Sequence, residues 1–321
     1  MMKSARTLFW GAAIAAACGI AQPAWSAGYP ERPVKVVVAF SPGGTTDSLT
    51  RSMTNILAQK LGQPFVVENR PGAGGNIGTE YVVRSDPDGY TLIVNSVGPI
   101  AVNPSLTNLS YDPLTDLVPI VQLATVPNVL VVPPQSPVQD FEGFLEYVKG
   151  KKNLSYSSTG VGTSSHLASF MLMDQVGADA VHIPYKGADA LKDLIAGRVD
   201  FMFATIPSVV GHIRAGKLRA LAVSTLQRST GLSDLPTVAE SGFPGFDAGS
   251  WFGFFAPKGT PQEVIDTINR EVNAAMPALK QQMISEGAEP VGGSPGQFGQ
   301  FIRTEYEKWA VLVKKFNATA Q

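Results

Sequence analysis

Two glycine- and hydroxyl-rich segments carry the residues whose types and spacing suit ligand chemistry. The first is Phe40-Ser41-Pro42-Gly43-Gly44-Thr45-Thr46-Asp47, and the second is Ser157-Ser158-Thr159-Gly160-Val161-Gly162-Thr163-Ser164-Ser165-His166. Each follows a short strand-like run and precedes a helical pattern. Backbone N–H groups at such a junction have no helical acceptor, and glycines let a ligand come close to them. Orphan amides and the helix dipole together favour an anion. Phe40, Ser41, Gly43, Gly44 and Thr45 are therefore candidates in the first segment, and Thr159, Gly162, Thr163, Ser164 and Ser165 in the second. At both, a helix cap is the plain structural alternative, with Thr45, Thr46 or Asp47 as the capping side chain in the first. Asp47 would repel a carboxylate directly, so it is expected to hold the loop or a water. Two anion-friendly loops more than a hundred residues apart suggest two lobes closing on one acidic ligand.

Other candidates lie at strand ends. Ser96, Lys186 and Thr205 could face a cleft and meet the far end of a ligand, although a strand-end lysine is usually just solvated. His166 could line the site or serve as a structural donor, whereas His182 and His212 read as structural. The three histidines show no metal-ligand spacing, so no metal is expected. Asn69 to Gly78 nearly makes a dinucleotide fingerprint, but Ile77 stands where the last glycine belongs, so no cofactor is expected. That loop is read as supporting the cleft. Gly292-Gly293-Ser294-Pro295-Gly296 spells the hydrolase elbow G-x-S-x-G. Pro295 after the serine, and histidines that all lie upstream, instead make Ser294 the cap of a helix starting at Pro295.

Residues 1–26 read as an export signal. Lys3 and Arg6 precede an uncharged apolar stretch from Leu8 to Ile20, and Ala24-Trp25-Ser26 supplies small residues at the cleavage spacing. The stretch is too short to span a bilayer. Cys18, the only cysteine, sits within it, and lipid attachment there is the minor alternative. Removal of Lys3 and Arg6 from 25 basic side chains leaves 23 against 26 acidic ones, a formal charge of −3. That balance argues against nucleic acid, so anion affinity must be local.

Strands and helices alternate from Val34 onward, the pattern of an α/β fold with mainly parallel sheets. Residues 27–127 and 251–321 are expected to form one lobe and 128–250 the other, with Pro127 and the run Phe252 to Ala256 near the crossings. Trp251 and Phe252 are expected to pack near this hinge. Pro261 and Pro277 each read as the start of a helix, and a long amphipathic helix from Pro295 closes the chain.

These phrases resemble the periplasmic solute-binding receptors of tripartite tricarboxylate transporters, the Bug or TctC-like proteins. The resemblance rests on Arg32-Pro33-Val34-Lys35-Val36-Val37, the first glycine segment, Glu68-Asn69-Arg70-Pro71-Gly72-Ala73-Gly74-Gly75 and Asp86-Pro87-Asp88-Gly89-Tyr90-Thr91-Leu92. It continues in Gly160 to His166, Ile183-Pro184-Tyr185-Lys186-Gly187, Gly197-Arg198-Val199-Asp200 and Ala256-Pro257-Lys258-Gly259-Thr260-Pro261. It implies a two-lobed Venus flytrap with crossed strands at the hinge. The two loops would clasp a carboxylate, partly through ordered water. It further implies a periplasmic receptor that delivers an organic acid to an inner-membrane permease; a monomer without catalysis is expected, with an aliphatic or aromatic dicarboxylate as the leading ligand and an amine or an aromatic ring as alternatives for its second group. A sensor or co-receptor role remains the alternative, and a hydrolase acting on an acidic substrate a remote one.

Overall fold

The computed structural model describes residues 28–319, so the signal reading and Cys18 lie outside the described residues. In chain order the elements are β1 (Val34–Val38), α1 (Thr45–Leu61), β2 (Phe65–Asn69), α2 (Asn76–Val83), β3 (Thr91–Ser96), α3 (Asn103–Leu106), β4 (Leu117–Val126) and β5 (Asn128–Val132). There follow α4 (Phe141–Gly150), β6 (Leu154–Ser158), α5 (Ser164–Val176), β7 (Ala180–Pro184), α6 (Ala190–Ile195), β8 (Met202–Thr205), α7 (Ile206–Arg214) and β9 (Arg219–Val223). The chain then returns through β10 (Ser250–Pro257), α8 (Gln262–Ser285), β11 (Glu289–Gly292) and α9 (Pro295–Thr319).

The α/β architecture has two lobes. The first is built on a six-stranded sheet in the order β11-β4-β10-β3-β1-β2, and the second on the sheets β8-β5-β9 and β6-β7. Strands β1, β2 and β3 are parallel, as are β6 and β7. Strand β10 enters antiparallel between β3 and β4 because it returns from the second lobe. Only Pro127 separates β4 from β5, so one nearly continuous strand passes from one sheet to the other. Proline suits that join, because it lacks the donor a continuing ladder would require.

Apolar residues at helical spacing seat the helices. Leu49, Met53 and Leu57 of α1 pack with Ile265, Ile268 and Val272 of α8 on one face of the large sheet. A second cluster joins Val37, Ile93 and Trp309 to Phe144, Leu154 and Phe203, so the core continues from one lobe into the other. Trp251 is buried against Phe298 and Phe301, and its indole N–H donates to Glu305 at 3.1 Å.

One boundary departs from the sequence reading. Pro277 does not start a new helix; α8 runs through it. Proline removes one i→i−4 bond there. Burial of Val272, Met276, Leu279 and Met283 along one face holds the helix together across that loss.

Ser294 is the α9 cap. Its Oγ accepts from the Gln297 amide at 3.2 Å, while Gln297 Oε1 accepts from the Ser294 amide at 2.8 Å. This reciprocal pair is a capping box, and it gives the serine of the G-x-S-x-G string a structural role.

Candidate functional site

A narrow cleft lies between the lobes, lined by residues of both. Three helices begin at it: α1 from the first lobe, α5 and α7 from the second. Glycine 44, in extended conformation, precedes α1, and no side chain caps that helix. The amides of Thr45 and Thr46 therefore lack an intrahelical acceptor, as do those of Ser164 and Ser165 at α5. The positive dipole ends of these helices point the same electrostatic sign at one cavity. None of the lining residues carries a charge. An anion here would be held by amides and hydroxyls alone.

Of the residues singled out from sequence, Phe40, Ser41, Gly44, Thr45, Ser96, Thr159, Thr163, Ser164 and Thr205 line this cleft. The others stand behind it. Asp47 accepts from the Gly43 amide at 3.0 Å, from Arg51 Nε at 3.0 Å and from Asn69 Nδ2 at 2.9 Å. Burial by itself would raise its pKa, but bonds from Arg51, Gly43 and Asn69 outweigh it and hold the carboxyl below its ordinary value. Asp47 is thus an ionised brace that shapes the first loop, and Gly43 contributes its amide to that brace.

In the second loop, Ser165 donates its hydroxyl proton to the Phe203 carbonyl. His166 does not face the cleft. Its Nδ1 accepts from the Gly162 amide at 3.2 Å, and its ring stacks on His182 with centroids 4.0 Å apart. The second imidazole meets Ser158 Oγ at 2.7 Å, and Tyr156 stacks beside the pair. Burial, then the neighbouring His182, pushes the pKa of His166 down to about 3. Burial alone pushes His182 down to about 4. Both rings are neutral props beneath the loop, and Gly162 N–H is already spent on one of them.

Two expectations change in kind. A side chain at Gly162 would not fill a ligand's space; its Cβ would stand 1.7 Å from Asn103 Oδ1 of the first lobe, at a φ of +75°. Lys186 leaves its side chain exposed and gives its carbonyl to the first loop, which accepts the Ser41 amide at 3.3 Å and the Ser41 hydroxyl. Its neighbour Gly187 lines the cleft instead. Both differences have the same source, the close approach of the lobes.

That approach is extensive. Thr45 Oγ1 meets Thr205 Oγ1 at 2.7 Å, and a Cβ on Gly74 would lie 2.1 Å from the Val161 carbonyl. The loop that nearly spells a dinucleotide fingerprint therefore abuts the second anion loop. The lobes are closed on the cleft.

The site residues named from sequence did not include Thr46, Gly187, Ala188, Leu191, Met202, Ser208, Ser250 and Phe252, which also line it. Thr46 lay inside the first motif and Phe252 beside the hinge, so both had a local signal. Leu191 and Met202 read as ordinary core positions and had none. Among the described residues no group of three His, Cys, Asp or Glu could hold a metal ion, and no helix is long and apolar enough to cross a membrane.

The model of the tripartite tricarboxylate transporter family receptor matches residues 49–318. BugT of Bordetella pertussis is 39% identical over 309 residues, covering 94% of this chain and 95% of its own. A solved R. palustris protein with adipate is 37% identical, with a TM-score of 0.87 over 89% of this chain and 97% of that one. MatC from Rhodopseudomonas palustris with bound malate is 33% identical, with a TM-score of 0.85 over 89% of this chain and 100% of that one.

Proposed function

This chain belongs to the tripartite tricarboxylate transporter receptor family, and on that premise we propose that it binds a small organic carboxylate between its lobes and delivers it to an inner-membrane permease. The family consists of periplasmic solute-binding receptors, and two relatives were solved with adipate and malate. The observation that carries the reading is a cleft without charged side chains at which the amino ends of α1 and α5 converge; α7 adds its dipole, its Ile206 amide donating to the Pro127 carbonyl and Pro207 having none. Convergent amide donors favour a negative head group over a neutral one. Export by residues 1–26 to the periplasm, and action as a monomer with lobes divided near Pro127 and Ser250, belong to the same proposal.

Closure is the signal in this scheme. A carboxylate touching α1 and α5 makes its full set of contacts only when the lobes meet, and that differential affinity shifts the equilibrium toward the closed form. The test is thermal melting against a panel of mono- and dicarboxylates, each paired with its amide. At a hundredfold excess over its dissociation constant, a ligand should add about 2.7 kcal/mol. Equal shifts from acid and amide would remove the anion site.

A further inference from the structure

The cleft's hydroxyls are not equivalent. Ser41 donates to the Lys186 carbonyl, Thr163 to the Gly160 carbonyl at 2.8 Å, and Ser208 to the Thr205 carbonyl at 2.7 Å. Ser164 donates to Asn128 Oδ1 at 3.3 Å, and Thr45 and Thr205 engage each other. With Thr45 donating to Thr205 and Thr205 donating to Ser208 Oγ at 3.3 Å, all of these protons find acceptors within the protein. Ser96 and Ser250 differ: they are 6% and 5% exposed, they line the cleft, and neither hydroxyl has a partner among the described residues. Both hydroxyls open onto the cleft rather than being sealed in the core, so their protons are available to whatever occupies it. Thr46 is also unpartnered but sits at the start of α1, and the half-buried Thr159 belongs to the rim.

Ser96 ends β3 and Ser250 begins β10. Ser96 pairs with Phe252, two residues from Ser250, so all three side chains share one sheet face. In the order β10-β3-β1, the loop leading to α1 follows β1. At a strand spacing of about 4.8 Å, Ser96 and Ser250 stand roughly 5 and 10 Å across the sheet from that loop. This separates two donor groups by the length of a short dicarboxylate.

We propose that Ser96 and Ser250 form a second polar subsite on the hinge floor that holds the far carboxylate of a dicarboxylate ligand. The proposal rests on the carboxylate-receptor reading and adds which residues choose between mono- and diacids. The first head group takes the helix starts, and the second takes two hydroxyl protons that no other described residue uses.

Calorimetric titration of the exported protein with adipate and with hexanoate tests it, since the two acids share a chain length and differ in one carboxylate. Wild-type protein should bind adipate at least tenfold tighter. Ser96→Ala and Ser250→Ala should each shrink that ratio, and the double variant should bring it near one with hexanoate affinity within twofold of wild type. Each replacement removes an unpaired group, so melting temperatures should hold and show that the variants are folded. A ratio preserved in the double variant, or equal losses for both acids, overturns the subsite. Wild-type protein that binds both acids equally overturns the subsite but leaves the carboxylate reading standing. Wild-type protein that binds neither these acids nor malate overturns both.

Discussion

Substituting alanine for Gly162 should separate lobe closure from folding. The new Cβ would lie 1.7 Å from Asn103 Oδ1 and 3.2 Å from a Leu106 methyl, both on the first lobe, while Gly162 itself precedes α5 on the second. An opened molecule moves these partners apart and keeps only the backbone strain of a positive φ, about 1–2 kcal/mol. The closed molecule bears the overlap as well. Overpacking of this kind costs about 1–3 kcal/mol, and at 1.4 kcal/mol per decade that weakens ligand binding by roughly 5- to 150-fold. Calorimetry with the tightest-binding acid of the panel, alongside thermal melting without ligand, reads both numbers. Asn103→Ala in the same chain removes the nearest obstructing atom and should recover most of the affinity. The reasoning fails if Gly162→Ala binds like wild type, or if the loss persists unchanged in the double variant.

Gly44→Val should fold and lose binding, since Gly44 lines the cleft at a φ of −86° and its nearest obstacle is the Ser41 carbonyl at 3.9 Å; calorimetry on the purified variant checks this. Ser294→Ala should cost about 0.5–2 kcal/mol as a lost cap and leave affinity unchanged, as denaturant melting and titration would show. Acid should destabilise the protein in a defined window. The two imidazoles are neutral when folded, with pKa values of about 3 and about 4 against 6.5 for the free group, so the unfolded chain binds more protons between those values. Stability is therefore full above pH 6.5 and falls as pH drops toward 4 and then 3. Replacing both His166 and His182 with Phe should flatten that part of the stability profile measured by urea melts. Finally, small-angle scattering should show a smaller radius of gyration with ligand than without it, because closure is the conformation that ligand favours; an unchanged radius in a sample that starts open and binds would count against a shared ligand.

What the sequence determined by itself is what neighbouring residues decide. A β-branched run, then glycines and hydroxyls, then apolar residues at helical spacing made both anion loops legible, because strand, turn and helix start are each local events. The same holds for Ser294 and Pro295, where cap chemistry lies within one turn. The tertiary structure decided the rest. Gly162 read as room for a ligand but is room for Asn103, and Lys186 read as a cation but serves as a carbonyl acceptor. Those roles exist only because two segments far apart in the chain meet when the lobes close. Pro277 lies within a helix because burial along α8 outweighs one lost hydrogen bond. Ser250 became a cleft residue only when β10 took its place between β3 and β4. Strand order and lobe closure are set by long-range packing, and no local spacing in the chain encodes them.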